Sequence, residues 1–238
     1  MTEEELWLHT LCKKNQLNIT DIQLSRLTLF KTLLLEWNQK INLISRNNEE
    51  HVWRGHIALS LSILFKIKFL SGQKILDLGT GGGFPGIPLS IMLPECSFLL
   101  LDATQKKITA VQSMIDLLSL PNAKTMWGRA EELNKQPGLK NSFDIIVARS
   151  VSNLTNLFDW GFPFLKPTSA NGATPVLSGE KITIAKPSLI TFKGSEIQEE
   201  EDLARRKYPK ISFYHIPLNF KGSEEFQNLD KKLVIANM

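Results

Sequence analysis

The segment Ile75-Leu76-Asp77-Leu78-Gly79-Thr80-Gly81-Gly82-Gly83-Phe84-Pro85-Gly86 constrains this chain more than any other, because an apolar run passes through one acid into five glycines within eight residues. The apolar part reads as a buried strand. Glycines directly after it tolerate positive φ and let the backbone approach a ligand with no side chain between. Glycine also serves plain strand-to-helix turns, but five so close together exceed what a turn needs. The segment predicts a strand, a ligand-facing loop and a helix.

The flanking texture agrees. Strands are expected at 74–78, at 97–101 ending on Asp102, at 124–127 and at 144–148. Between them fall a helix from Gly86 to Leu93, stopped by Pro94, and one from Thr104 to Leu118 with Ile108, Val111, Ile115 and Leu118 on one face. Beyond Val151 the pattern predicts a helix to Phe158, a strand at 190–192, a charged helix from Glu196 to Lys207, and an antiparallel strand pair at 211–218 and 232–236. Seven strands, mostly parallel, with helices on both faces make a Rossmann-like α/β fold. The stretch from Thr168 to Ser188, rich in Thr, Ser, Gly and Pro, reads as an exposed excursion. Residues 1–70 read as a helical region ahead of the α/β domain at 71–238. It holds a short helix over 3–15, a helix over 20–41 opened by a Thr20/Gln23 capping box, and an amphipathic helix from Glu49 to Phe65.

Gly81-x-Gly83-x-x-Gly86 formally matches the dinucleotide fingerprint, which seats a pyrophosphate at a helix N-terminus. Asp77, two residues before the first glycine, repels a diphosphate and favours a cationic ligand. S-adenosylmethionine carries an ammonium, a sulfonium and a ribose but no phosphate, so it meets that condition. Asp102 ends the next strand at the spacing where an acid meets ribose hydroxyls, although it also suits capping the following helix. Phe84 offers an apolar face beside the loop, and Ala130-Glu131 follows the third strand at the edge where an adenine lies. All of these fall at carboxyl ends of strands, where open α/β sheets bind ligands.

The whole-chain numbers bound the partners. A net charge of +4 with a pI near 9.0 tilts expectation toward polyanions. Cys12 and Cys96 form no CxxC, and no HExxH occurs, so no metal site is expected. MTEEELW has acids where a secretory signal carries basic residues, and no apolar run reaches the roughly 18 residues of a membrane span, so a cytoplasmic protein is expected.

ILDLGTGGGFPGIPLSIMLPE, LLDATQKK, GRAEE, VARSVSNL and ITFKG follow one another in an order that resembles the bacterial small-subunit rRNA guanine-N7 methyltransferases, the glucose-inhibited division protein B family. FPGIPL is the most specific part, and EWNQKINLIS with Arg54-Gly55-His56-Ile57 is similar to the family's helical N-terminal region. The resemblance runs from about residue 35 to residue 194. It implies a class I methyltransferase fold and an S-adenosylmethionine-dependent enzyme that methylates N7 of a guanine in the decoding region of 16S rRNA. Its partner is then the rRNA or the small subunit, with a monomer expected. By the resemblance Gly79, Phe84, Ala130, Glu131 and Arg149 are cofactor contacts, joined by Asp77, Gly81 and Asp102 from the residue reading. His56, Arg129 and Lys193 match substrate-side or architectural positions. Two departures stand out: Leu59 replaces the acid usual three residues after the motif histidine, and the excursion at 168–188 is longer than the family's glycine-rich turn.

Plain structural roles exist for the same residues: a hydrogen-bonding core His56, an Arg149–Glu131 salt bridge, and Lys193 at a strand end. Lys13, Lys14, Arg26, Lys31, Lys40 and Arg46 are solvated helix faces or, alternatively, an RNA-facing patch. N7 of guanine has a free lone pair at neutral pH, so its methylation needs no general base. Arg129, Arg149 or Lys193 is expected to engage O6, a phosphate or the cofactor carboxylate, since a donor on N7 blocks the lone pair. A methyltransferase for a small molecule or protein, a nicotinamide oxidoreductase and a non-catalytic RNA-binding protein remain as alternatives.

Overall fold

The structure is a computed structural model that describes residues 1–167, 176–178, 181–194, 196–226 and 231–237. Two capped helices open the chain. Thr2 starts α1 (Glu3–Lys14) and Thr20 starts α2 (Asp21–Asn38), each through a reciprocal capping box with Glu5 or Gln23. On α2, Leu24, Leu27, Phe30, Leu33 and Leu34 turn inward. Asn38 ends the helix and its Oδ1 accepts from the amides of Leu43 and Ile44, which folds the following loop back toward the glycine segment.

The amphipathic helix expected over 49–65 takes a different form. A 3-10 turn at Arg46–Asn48 leads to a π-helical stretch at Val52–Ala58 and then to α3 (Leu59–Lys66). Every residue from Leu59 to Phe65 is buried, so α3 has no polar face. The hydroxyls of Ser60 and Ser62 bond the carbonyls of His56 and Leu59, which lets a polar residue sit on a fully covered helix. The widened π turn carries Gly55 and His56.

The chain then enters β1 (Ile67–Lys68), β2 (Lys74–Leu78), α4 (Gly86–Met92), β3 (Ser97–Asp102), α5 (Gln105–Leu117), β4 (Ala123–Trp127), α6 (Ala130–Leu133), β5 (Ile145–Arg149), α7 (Leu154–Gly161), β6 (Val176–Ser178), β7 (Lys181–Thr183), β8 (Ser188–Gly194), α8 (Gln198–Lys207), β9 (Ser212–Pro217) and β10 (Lys231–Asn237). Seven strands form the main sheet in the order β4-β3-β2-β5-β8-β10-β9, and only β10 runs antiparallel to its neighbours. β1, β7 and β6 form a second sheet that the sequence reading does not contain. Part of the supposed excursion therefore belongs to the body of the protein: β7 pairs with β1, Ile184 is buried, and its carbonyl accepts from Gln73. Residues 168–175 and 179–180 of the excursion lie outside the described residues.

One apolar cluster runs from Leu8 and Leu27 through Ile57 and Ile87 to Ile235, so the N-terminal helices share a core with one face of the main sheet. A second, with Phe158, Phe164 and Leu189, fills the other face. Strand order reverses between β2 and β5, and the crevice at their carboxyl ends is where a ligand belongs in such a sheet.

Candidate active site

The loop between β2 and α4 takes positive φ at Gly79 (75°), Gly81 (58°) and Gly83 (95°). At Gly79 a Cβ would lie 2.7 Å from a methyl of Val151, whereas at Gly81 it would meet open space. Glycine at 79 thus serves both backbone and packing, and at 81 it serves the backbone beside a cavity.

Most of the loop amides are spent on the protein itself. Gly79 and Thr80 donate to the carbonyl of Leu101, Gly83 and Phe84 to that of Thr80, Gly81 to Asp102 Oδ2 at 2.9 Å, and Gly86 to Asp77 Oδ2 at 2.8 Å. A pyrophosphate cradle needs those amides free.

Asp77 lies beneath the loop, fully buried, and also accepts from Thr80 Oγ1 at 2.6 Å. Its other oxygen, Oδ1, is buried with no hydrogen-bond partner among the described residues. Burial pushes this carboxyl up to about 7, against the hydrogen bonds from Thr80 and Gly86 and the charge of Arg149. Asp102 stands at the rim: Oδ2 takes the Gly81 amide and Oδ1 that of Thr104 at 2.8 Å, which joins the loop to the start of α5.

A cavity of about 770 Å³ opens over these groups. Gly79, Thr80, Gly81, Gly82, Phe84, Asp102, Ala103 and Lys107 line one side, and Leu43, Ile44, Gly55, His56, Leu59, Arg149, Ser150, Val151 and Lys231 lie around the rest.

Arg149, the last residue of β5, crosses the Phe84 ring at 4.8 Å and bonds His56 Nδ1 at 2.7 Å, with a longer contact to the Gly55 carbonyl at 3.4 Å. A guanidinium only donates, so Nδ1 must be the acceptor and the neutral imidazole carries its hydrogen on Nε2. Burial, then the charges of Arg149 and Lys231, hold His56 down at about 3, so the ring stays neutral at physiological pH. Its Nε2 is buried and has no partner among the described residues, while the ring packs on Phe84 at 4.9 Å. Burial lowers Arg149 to about 10, which leaves it cationic.

The structure gathers Gly79, Gly81, Phe84, Asp102, His56 and Arg149 on the cavity wall, with Asp77 directly below. It sets the others aside. Arg129 precedes α6, largely exposed and 3.7 Å from Glu131; Ala130 and Glu131 open that short helix at the end of β4. The Arg149–Glu131 salt bridge is not formed. Lys193 bonds Glu200 at 2.6 Å and the Ser152 carbonyl at 2.9 Å.

Lys231, Lys107, Ser150 and Val151 are wall residues the sequence reading passed over. Lys231 lies opposite Gly194 across the β8–β10 ladder, so the end of ITFKG followed by a later lysine-led apolar strand was the available signal. Of the basic N-terminal residues, Lys31 pairs with Glu4 and Arg26 bonds the Ser119 carbonyl, while Arg46 lines a shallow hollow that shares Leu43 and Ile44 with the cavity.

A mostly parallel sheet with an antiparallel β10, a glycine loop at the strand reversal and an acid at the end of the neighbouring strand define a Rossmann-like class I methyltransferase fold. M. jannaschii TYW2 in complex with AdoMet shares that fold with a TM-score of 0.51 at 14% identity, over 77% of this chain and 74% of that one. MtNAS in complex with MTA and tNA matches with a TM-score of 0.52 at 11% identity, over 90% and 74%. The chain belongs to the GidB family, described as rRNA small subunit methyltransferase G, whose model matches residues 23–182. Ribosomal RNA small subunit methyltransferase G of Chlorobium limicola is 40% identical over 84% of this chain and 80% of its own length. The protein of that name from Flavobacterium johnsoniae is 38% identical over 86% and 95%.

Proposed function

We propose that the chain is an S-adenosylmethionine-dependent methyltransferase acting on N7 of a guanine in 16S rRNA. The observation that carries this reading is the state of His56: Arg149 takes the lone pair of Nδ1 and Nε2 bears the hydrogen, so the one histidine in the cavity wall has no basic nitrogen to offer. Such a site suits a nucleophile that attacks without losing a proton, and guanine N7 is one.

The residues present fit the cofactor. Six loop amides bonded internally leave little of an anion cradle, the Gly81 face is open, and the Asp102 carboxylate at the rim retains acceptor capacity for ribose hydroxyls. Gly79, Gly81, Phe84 and Asp102 would hold it, with Ala130 and Glu131 at the adenine edge and Asp77 setting the loop from below. When bound, S-adenosylmethionine supplies a methyl group activated by a sulfonium.

Arg149 supplies positive charge for the cofactor carboxylate and guanine O6, and Lys231 and Lys107 for flanking phosphates, leaving N7 unblocked. Arg129 would reach the substrate at the margin, while Lys193 stays committed to Glu200 and the Ser152 carbonyl. Placement of the target atom is the chief contribution of the chain, and positioning of this kind supplies roughly 7–11 kcal/mol in favourable cases. A guanine displayed in a loop can be turned out of its stack into a cavity of this volume.

The test is calorimetry followed by transfer. Heat of binding is expected with S-adenosylmethionine and none with NAD, and labelled methyl should pass to 16S rRNA or 30S subunits. Binding of NAD in preference to S-adenosylmethionine would defeat the proposal.

A further inference from the structure

Trp127 is the only aromatic residue among the strongly exposed large apolar side chains of the described residues, at 56% exposure. It ends β4, the edge strand of the main sheet. The ring is not loose: its indole N–H donates to the Ala103 carbonyl at 3.1 Å, which fixes its plane across the β3–α5 turn. Ala103 is part of the cavity wall, together with Asp102 and Lys107 on either side of it in sequence, while Trp127 stays outside that wall.

Cations lie near Trp127 and its hydrogen-bonded neighbour Ala103 along the chain. Lys106 and Lys107, in the first turn of α5, form no ion pair with any described residue. Arg129, two residues beyond Trp127, is 65% exposed and meets Glu131 only at 3.7 Å. A fixed aromatic face with two unpaired lysines and a largely exposed arginine on the adjoining segments is the combination that binds single-stranded nucleic acid: the ring stacks on a base and the cations follow the backbone.

From this geometry we infer that Trp127 is a stacking platform for an unpaired base of the RNA flanking the nucleotide that enters the cavity. The inference rests on the rRNA reading above and adds a subsite to it. Because the ring lies outside the cavity wall, its occupant is a neighbouring nucleotide and not the target base. Lys106, Lys107 and Arg129 would run along the phosphates between the two positions.

The experiment is steady-state transfer of labelled methyl to a 16S rRNA transcript by the parent, Trp127→Ala and Trp127→Phe, with calorimetry of each against S-adenosylhomocysteine and circular dichroism to verify the fold. Loss of one base stack is expected to raise the KM for RNA in Trp127→Ala about tenfold. The loss should fall on KM rather than kcat, Trp127→Phe should recover most of it, and affinity for S-adenosylhomocysteine should match the parent. Tryptophan emission of the parent should be quenched by the transcript, and this quenching should shrink in Trp127→Phe. An unchanged KM in Trp127→Ala with an active parent would overturn the platform alone. A parallel loss of S-adenosylhomocysteine affinity would assign the ring to the cofactor and overturn it equally. A parent that transfers no methyl to the transcript or to 30S subunits would instead overturn the rRNA reading beneath it.

Discussion

Arg149 and Lys193 stand at the carboxyl ends of neighbouring parallel strands, β5 and β8, where Arg149 pairs in register with Phe192. Arg149 touches neutral groups only, His56, the Gly55 carbonyl and the Phe84 face, so its charge is directed into the cavity. Lys193 is neutralised by Glu200, whose carboxylate also accepts the Leu154 amide at the start of α7. Its second bond, to the Ser152 carbonyl, holds the strand-end turn that carries Ser150 and Val151 into the wall. Two cations one residue apart in register, and so on opposite faces of the sheet, thus differ in what they spend their charge on. One presents it to a ligand, and the other positions the backbone on which the first is mounted.

Replacing Arg149 with Ala should cause the largest effect. Removal of a preorganised donor aimed at the reacting region costs about 10²–10³ in rate, and labelled methyl transfer to 16S rRNA would read it. Arg149→Lys should rescue little, because the planar fork that reaches His56 and Gly55 together is lost. Lys193→Ala should act differently, costing about 2 kcal/mol in a urea unfolding titration by leaving the Glu200 contact unmet, with a drop in rate of about tenfold from the displaced turn. Equal losses of rate in both variants, without loss of stability in Lys193→Ala, would break the comparison and put Lys193 on the substrate itself.

The charge environment under Arg149 can be probed by pH. Asp77 is raised from 3.8 to about 7, so between those values the folded chain holds a proton that the unfolded chain has lost, and stability falls as pH rises. His56 is lowered from 6.5 to about 3, so in that range the unfolded chain holds the extra proton, and stability falls as pH falls. The two slopes oppose each other between pH 4 and 6.5. His56→Asn should expose the first and Asp77→Asn the second, each approaching about 1.4 kcal/mol per pH unit in denaturant titrations. A parent and His56→Asn with the same pH profile would contradict a buried neutral His56. The smallest expected effect is on salt dependence. Lys231→Ala should reduce the slope of log affinity for rRNA against log salt by about 0.7, the contribution of one phosphate contact to a single strand, while calorimetry with S-adenosylmethionine stays close to the parent.

What could be read ahead of the structure was what neighbours along the chain decide. The glycine loop, the Thr20 capping box, the strand ending at Asp102 and the antiparallel closing pair are local patterns, and each is present. The small sheet escaped notice because β1 has two residues and β7 three, too short for a period, and they become strands only by meeting each other across more than a hundred residues. The π-helical turn at 52–58 likewise reflects packing around Gly55 and His56, not propensity. In the site, the spacing of Asp77 to the glycines is all that sequence offers, and it points to a ligand contact. Its burial, with Thr80 and Gly86 on one oxygen, is a tertiary fact. Lys231 reaches the cavity only through the register of β10 on β8.

The central claim is that this cavity methylates an atom that gives up no proton, N7 of guanine. Incubation of 16S rRNA or 30S subunits with the protein and labelled S-adenosylmethionine, followed by borohydride reduction and aniline cleavage, tests it directly. Strand scission at one guanine, matched by label in 7-methylguanosine after digestion, is the predicted result. Incorporated label with no scission, and with the methyl group found on an exocyclic amine, a ribose hydroxyl or a carbon, would contradict it.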